Sequence, residues 1–296
     1  MERYSAVVER VAATATVVTL VGGLDSGKST LGRAIAKQAL EAGRTVAYLD
    51  TDLGQKTIGP PAAVTVRMFG NRDESASRGT GRVDALYFVG ATSPQGQLLP
   101  LAVGAAKMLN WAQSRGADMV IVDTSGLVSG VYGQVLKYHK IELLQPDVVI
   151  GLQRGEELAP LLGIIQRFFS CEVLALPVPA ETQTTSADQR ARNREAALRN
   201  YFSGPVQRWR IKPSVFMPAL PALFEEQPLD RLLVGLSDGK GEYTGLGYLE
   251  YSPDDGLLRL ISPVSEAPKA LKLGSVRVEE DFHLRRVDLR SLFGTD

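Results

Sequence analysis

Residues 16–30 read Thr16-Val17-Val18-Thr19-Leu20-Val21-Gly22-Gly23-Leu24-Asp25-Ser26-Gly27-Lys28-Ser29-Thr30. The first six are apolar or β-branched and stop at a glycine pair, the pattern of a short buried strand. The next eight fit G-x-x-x-x-G-K-[ST], the phosphate-binding loop. Gly22, Gly23 and Gly27 let the backbone wrap closely, so that the N–H groups through Asp25 and Ser26 converge on a phosphate. A helix starting near Lys28 adds its positive end. In this motif Lys28 reaches the β- and γ-phosphates and the Ser29 hydroxyl binds Mg²⁺, with Thr30 beside it in the first helical turn. The strand before and the helix after distinguish this loop from a glycine turn that binds nothing.

Working outward, residues 29–42 carry Leu31, Ala34, Ile35 and Ala39 at helical spacing and end at Gly43, a C-cap signal. Strands are expected over 45–49, 85–89, 119–122, 148–152 and 173–176, and helices over 98–111, 131–144 and 156–169, with Pro146 stopping the second. This alternation predicts an α/β fold, a P-loop NTPase whose mostly parallel sheet is flanked by helices. Beyond Ile211 prolines and glycines become frequent, and Ser237-Asp238-Gly239-Lys240-Gly241 and Pro253-Asp254-Asp255-Gly256 read as turns between short strands. The expected organisation is a kinase-sized domain over 1–210, with a helical lid near 186–202, and a small all-β C-terminal domain over 211–296. Residues 70–82 are polar and rich in Gly, Ser and Arg, the composition of a mobile loop.

The 296 residues contain 44% hydrophobic and 22% charged side chains, as in ordinary globular proteins. No apolar run suggests a membrane span, and the N-terminal residues Met1-Glu2-Arg3-Tyr4 do not begin a secretory signal. A cytoplasmic protein with no membrane partner is expected. Cys171 is the only cysteine, and His139 and His283 are the only histidines, which argues against a disulfide framework and a Cys/His metal centre. With 33 basic and 33 acidic residues the net charge is zero, so a nucleic-acid partner would be gripped locally.

Three further stretches carry chemistry. Asp50-Thr51-Asp52-Leu53-Gly54-Gln55 leaves the expected second strand at the carboxyl edge of the sheet, where α/β ligands bind. One of its two carboxylates can help hold Mg²⁺ while the other accepts a proton from an attacking hydroxyl. Asp123 ends the apolar run 119–122, a Walker B arrangement that points to Mg²⁺, and the small residues from Thr124 to Gly130 can bring backbone donors close to phosphates. Arg190 and Arg194 stand at i and i+4 and share a helix face. Arginines closing over a P-loop neutralise the transferring phosphoryl group. A capped turn, a flexible loop and a solvated helix face remain open as the plain readings of these stretches.

Together the pieces resemble the polynucleotide 5′-hydroxyl kinase family, which includes eukaryotic RNA-processing kinases and archaeal and bacterial relatives. The resemblance rests on the P-loop, Asp50 to Gln55, Tyr87-Phe88-Val89-Gly90-Ala91-Thr92-Ser93-Pro94, the "clasp" Asp123-Thr124-Ser125-Gly126-Leu127-Val128, and the R-x-x-x-R lid with Arg199-Asn200-Tyr201-Phe202. It implies transfer of the γ-phosphate of ATP or GTP to the 5′-hydroxyl of single-stranded RNA or DNA. It also implies roles: Lys28 on the β/γ-phosphates, Ser29 and Asp50 organising Mg²⁺ with Asp123, Asp52 as general base, Gln55 at the substrate end, Thr124, Ser125 and Gly126 clasping the triphosphate, and Arg190 and Arg194 stabilising the transferring group. Only residues 1–15 precede the first strand, so a compact member without the family's N-terminal β-domain is expected. For a ring that stacks on the terminal base the candidates are Tyr132, Tyr138 and Trp111. Arg67, Arg72, Arg78 and Arg82 are candidates for the substrate backbone. The competing readings are a P-loop NTPase switch and a nucleotide-binding scaffold without kinase turnover.

Overall fold

The computed structural model describes residues 4–70, 83–220, 226–254 and 256–293. Outside them fall Met1-Glu2-Arg3, the expected loop beyond Gly70 with Arg72, Arg78 and Arg82, residues 221–225, Asp255 of one expected turn, and residues 294–296. In chain order the first part comprises α1 (Ser5–Thr14), β1 (Val17–Gly22), α2 (Lys28–Glu41), β2 (Val46–Asp50), β3 (Ala63–Phe69), β4 (Ala85–Phe88), α3 (Leu98–Gln113), β5 (Met119–Asp123), α4 (Gly130–Leu144), β6 (Val148–Gln153), α5 (Ala159–Phe168), β7 (Glu172–Pro177) and α6 (Ala187–Tyr201). It continues with β8 (Gln207–Arg210), β9 (Phe216–Met217), β10 (Leu232–Ser237), β11 (Tyr243–Ser252), β12 (Leu257–Ser262), β13 (Ala270–Val278), β14 (Leu284–Arg286) and the short α7 (Leu289–Phe293).

Five strands form the parallel heart in the order β2-β5-β1-β6-β7. All of β1, β2 and β5 is buried, because helices cover both faces, and this explains their unbroken apolar sequences. On one face Leu31, Ile35 and Ala39 of α2 and Val8 and Val11 of α1 pack against Val18, Leu20 and Tyr48. On the other, Leu101 and Leu109 of α3 and Leu136 of α4 pack against Leu49, Val120 and Val122. Helix α1 was not among the expected elements. It carries its apolar side chains one helical turn apart, with Val8, Val11 and Ala12 buried, and the Tyr4 hydroxyl donates to the Pro177 carbonyl of the edge strand.

Strand β3, also not expected, runs antiparallel to β2 from Val46↔Phe69 to Asp50↔Thr65. Strand β4 is antiparallel to β3 and meets β11 at Leu86↔Tyr243. Through β4 the sheet continues without a break into the C-terminal strands, in the order β11-β10-β13-β14. Strand β8, which ends at Arg210, pairs with β12. Helix α6 rests on these strands. Leu198 is buried, the Tyr201 hydroxyl accepts the Leu246 N–H at 2.8 Å, and Arg199 donates to the Asp281 carbonyl at 2.7 Å. Among the described residues no helix is long and apolar enough to cross a membrane.

Candidate active site

Strand β1 ends at Gly22, and the chain turns through residues 23–27 into α2. A Cβ on Gly22 would lie 2.4 Å from Ser26 Oγ and 2.8 Å from the Leu152 carbonyl, and Gly27 has φ +90°, so both positions require glycine. Lys28 folds back over the loop, and its Nζ donates to the carbonyls of Gly22 (3.0 Å) and Gly23 (2.6 Å). Burial lowers its pKa, against the pull of Asp123, Asp52 and Asp25. A cavity of about 260 Å³ opens here, walled by Ser26 to Thr30, Asp52, Gln55, Asp123, Thr124 and Gly126. Asp25 ties this loop to the lid: its carboxylate accepts the Thr185 N–H (2.9 Å) and hydroxyl (3.1 Å) and lies 3.5 Å from the Arg190 guanidinium.

The acidic side of the cavity holds three aspartates in different states. Asp123 Oδ2 accepts from the Ser29 hydroxyl at 2.6 Å and the Tyr48 hydroxyl at 2.8 Å. Asp50 is fully buried and does not line the cavity. Its Oδ1 accepts the Asp52 N–H (3.0 Å) and pairs with Lys56 (3.0 Å), while Oδ2 accepts the N–H groups of Thr57 (2.6 Å) and Ile58 (3.1 Å). Burial pushes its pKa up to about 6, with Lys56 opposing and Asp123 and Asp52 adding to the rise. Asp52 is only half-buried. Its Oδ1 receives the N–H groups of Gly54 (2.8 Å) and Gln55 (2.9 Å), and among the described residues its Oδ2 has no partner.

Gly54 is the meeting point of the turn and the lid. A Cβ there would stand 2.8 Å from the Thr92 carbonyl, 3.8 Å from Asp52 Oδ1 and 4.0 Å from Arg194 Cδ. The Gln55 amide donates to the Arg190 carbonyl at 3.2 Å. Arg194 has no hydrogen-bond or ion-pair partner among the described residues; partial burial beside Arg190 lowers its pKa, while Glu195 and Asp52 counter. In the clasp, the Thr124 hydroxyl donates to the Leu20 carbonyl at 2.7 Å, Ser125 is buried, and Gly126 packs so closely on Leu24 that a Cβ would meet its nitrogen at 2.8 Å. Arg67 lies on β3 opposite Tyr48, with its guanidinium 4.8 Å over the Phe69 ring, and does not wall the cavity. Tyr132 is 62% exposed at the start of α4, Tyr138 packs on Phe169, and Trp111 sits under Arg115 on α3.

Residues 22–204, more than half of the chain, match the family described as mRNA cleavage and polyadenylation factor CLP1 P-loop. The chain belongs to the CLP1 P-loop family. It is similar to a polyribonucleotide 5′-hydroxyl-kinase of Thermococcus kodakarensis, 29% identical with 88% of each chain covered. A polyribonucleotide 5′-hydroxyl-kinase of Methanocaldococcus jannaschii is 27% identical, with 89% of this chain and 87% of that one covered. A chain in the structure of the wild-type Clp1p–Pcf11p complex shares the fold, with a TM-score of 0.72 at 13% identity over 93% of this chain and 78% of that chain. The CLP1 P-loop fold therefore has its parallel sheet, flanking helices and C-terminal strands here as expected.

Three basic residues of this CLP1-type site were not singled out in the sequence. Lys137 Nζ donates to the Ser125 carbonyl at 2.7 Å, directly behind the clasp. Burial pushes its pKa far down, and Lys140 and Lys28 push it further. Lys140 Nζ donates to Thr51 Oγ1 at 2.7 Å, and that hydroxyl donates in turn to the Asp123 carbonyl at 2.8 Å. Burial brings Lys140 down to about 7, with Asp52 and Asp50 holding it up. Arg154, just beyond β6, braces the P-loop through the carbonyls of Leu24 (3.2 Å) and Asp25 (2.6 Å). A signal existed for the lysines. They stand at i and i+3 on the same stripe of α4 as Leu136, Ile141 and Leu144, where an apolar face should continue.

Proposed function

We propose that the protein is a polyribonucleotide 5′-hydroxyl kinase, moving the γ-phosphate of ATP or GTP to the 5′-hydroxyl end of single-stranded RNA. The observation that carries this is Asp52: a carboxylate held by two backbone N–H groups through Oδ1, with Oδ2 unpartnered, in the wall of the P-loop cavity and under Arg194. A switch that hydrolyses nucleotide has no need of a proton acceptor set on a rigid turn between the phosphate loop and a lid.

In this reading the triphosphate lies along the N–H groups of residues 23–29, and the Lys28 ammonium exchanges the Gly22 and Gly23 carbonyls for the β- and γ-phosphate oxygens. Ser125 and Gly126, backed by Lys137, close over the phosphates. The Asp52 Oδ2 takes the proton of the 5′-hydroxyl as its oxygen bonds to the γ-phosphorus and the bond to the bridging oxygen breaks. Arg190 and Arg194 spread the developing charge, and Gln55 orients the nucleotide end. Ser29 and Asp123 supply hard oxygen donors on one wall and fit Mg²⁺, an ion that keeps most of its waters and takes few protein ligands. When bound, Mg²⁺ neutralises charge on the β- and γ-phosphates. The saturated carboxylate of Asp50 supports a role in shaping the turn that carries Asp52 and, through Thr57, the environment of Asp123. Residues 1–210 form the catalytic body and 211–296 the β-rich part, with β8 bridging them through β12. We place the reaction in the cytoplasm.

The test is transfer from γ-labelled ATP or GTP to 5′-hydroxyl oligonucleotides, RNA and DNA in parallel. Label on the RNA 5′ end supports the reading. Label released only to water, with Asp52→Asn no different from wild type, rejects it in favour of a switch.

A further inference from the structure

A second cavity of about 650 Å³ lies beside the catalytic turn, a volume in the range of specific ligand sites. One wall is the loop after β4, with Thr92, Ser93 and Gln95; the other is the end of β13, β14 and the start of α7, with Ser275, Arg286 and Arg290. The walls are stitched together, since the N–H and the hydroxyl of Ser275 both donate to the Gly90 carbonyl, at 2.7 and 3.1 Å. The Thr92 wall of the groove abuts the catalytic turn. The Thr92 carbonyl and the Asp52 carboxylate flank the same residue, Gly54, at 2.8 and 3.8 Å from the Cβ it lacks.

The groove's lining carries two arginines against one carboxylate. The guanidiniums of Arg286 and Arg290 have no hydrogen bond or ion pair among the described residues. Their neighbour Arg285, on the opposite face of β14, pairs with Glu279 at 2.9 Å. The carboxylate in the groove, Asp288, gives one oxygen to the backbone N–H of Arg290 at 3.0 Å. A chain of zero net charge thus places two unpaired guanidiniums, a serine hydroxyl and a side-chain amide in one groove whose Thr92 wall packs on the turn that carries its proposed general base.

We infer that this groove carries the nucleotides that follow the 5′ end, with Arg286 and Arg290 on their phosphodiesters. The inference rests on the kinase reading: with the first ribose at Asp52, the strand must continue in some direction, and the groove supplies it. Guanidiniums suit phosphates because their planar forks make paired, charge-assisted hydrogen bonds. Ser93 and Gln95 are placed to meet 2′-hydroxyls, the groups that separate RNA from DNA.

The experiment compares wild type with the double variant Arg286→Ala, Arg290→Ala on a 5′-hydroxyl RNA decanucleotide and a dinucleotide. It combines steady-state kinetics with fluorescence anisotropy of the decanucleotide across a salt series. The double variant should raise KM and Kd for the decanucleotide about tenfold, with kcat changed less than twofold. It should also flatten the log Kd against log salt slope by about 1.4, at roughly 0.7 per phosphate contact. Lysine at both positions should restore most of the loss, and Arg285→Ala should behave as wild type. The wild-type preference for the decanucleotide over the dinucleotide should collapse in the double alanine variant. Unchanged KM, Kd and salt slope in an enzyme that phosphorylates RNA would overturn the groove and leave the kinase reading intact. Arginine-dependent binding without phosphate transfer would sink the kinase reading and keep the groove. No binding of the decanucleotide by wild type would overturn the inference.

Discussion

Replacing Lys140 with methionine should stabilise the protein near neutrality while impairing it as a catalyst. Lys140 is buried to 1% exposure, and among the described residues its side chain hydrogen-bonds to Thr51 alone. Its folded-state pKa lies near 7, against 10.5 for the ordinary group. The sign follows from proton counts. Between these two values the unfolded chain binds more protons than the folded one, so this site adds stability as pH rises through that window. From pH 7 to pH 9 the gain integrates to roughly 2 kcal/mol, and it cannot exceed about 1.4 kcal/mol per pH unit for one proton. Lys140→Met removes the buried charge and this increment with it. The variant should be at least as stable as wild type at pH 7, and wild type should close the gap by pH 9. The assay is urea unfolding of both proteins at each pH, where the titrations of groups remote from Lys140 cancel in the difference. Activity should move the other way. Thr51 joins Asp50 to Asp52, and losing a charge-assisted bond to its hydroxyl should lower kcat/KM about tenfold, equivalent to ~1.4 kcal/mol. Parallel stability curves for wild type and variant from pH 7 to pH 9 would refute the argument.

Gly22→Ala would place a methyl group 2.4 Å from Ser26 Oγ, and the resulting shift of the loop should weaken nucleotide binding at least tenfold (~1.4 kcal/mol), read by titration with a fluorescent nucleotide. Asp25→Ala should loosen the lid by removing both bonds to Thr185. The partly buried, long 3.5 Å contact with Arg190 is itself worth about 1 kcal/mol or less, so faster proteolysis within 179–190 and a raised KM for the nucleotide should trace mainly to Thr185. Tyr201→Phe should cost about 1 kcal/mol in unfolding free energy by leaving the Leu246 N–H without its acceptor, with nucleotide affinity unchanged.

The parallel heart of the fold was legible because its strands are short apolar runs, β1 stopped by a glycine pair and β2 and β5 by aspartate, and most of them are followed by a helical stripe. The acids at Asp50, Asp52 and Asp123 were legible for the same reason, since strand ends at the carboxyl edge define the site. Strand β3 escaped because it is buried over Ala63 to Val66 and shows neither alternation nor a flanking helix; it exists because β2 offers an antiparallel edge. The order of the C-terminal strands escaped too. Turn residues mark where strands end, but the pairing of β4 with β11 joins residues far apart in the chain. Lysines usually lie outside, so nothing marked Lys137 and Lys140 for the site. The fold places them inside, facing a cluster of carboxylates that only tertiary structure assembles. The i, i+4 spacing did put Arg190 and Arg194 on one face, and that face meets Asp25 and Gly54.

The account turns on Asp52 as proton acceptor, and single-turnover transfer from γ-labelled ATP to a 5′-hydroxyl RNA tests it most directly. Wild type and Asp52→Asn should bind nucleotide and RNA alike, because the amide keeps an oxygen for the Gly54 and Gln55 N–H groups. The rate of the chemical step should fall by about a hundredfold or more in the variant. Equal single-turnover rates, at equal occupancy, would contradict the central claim.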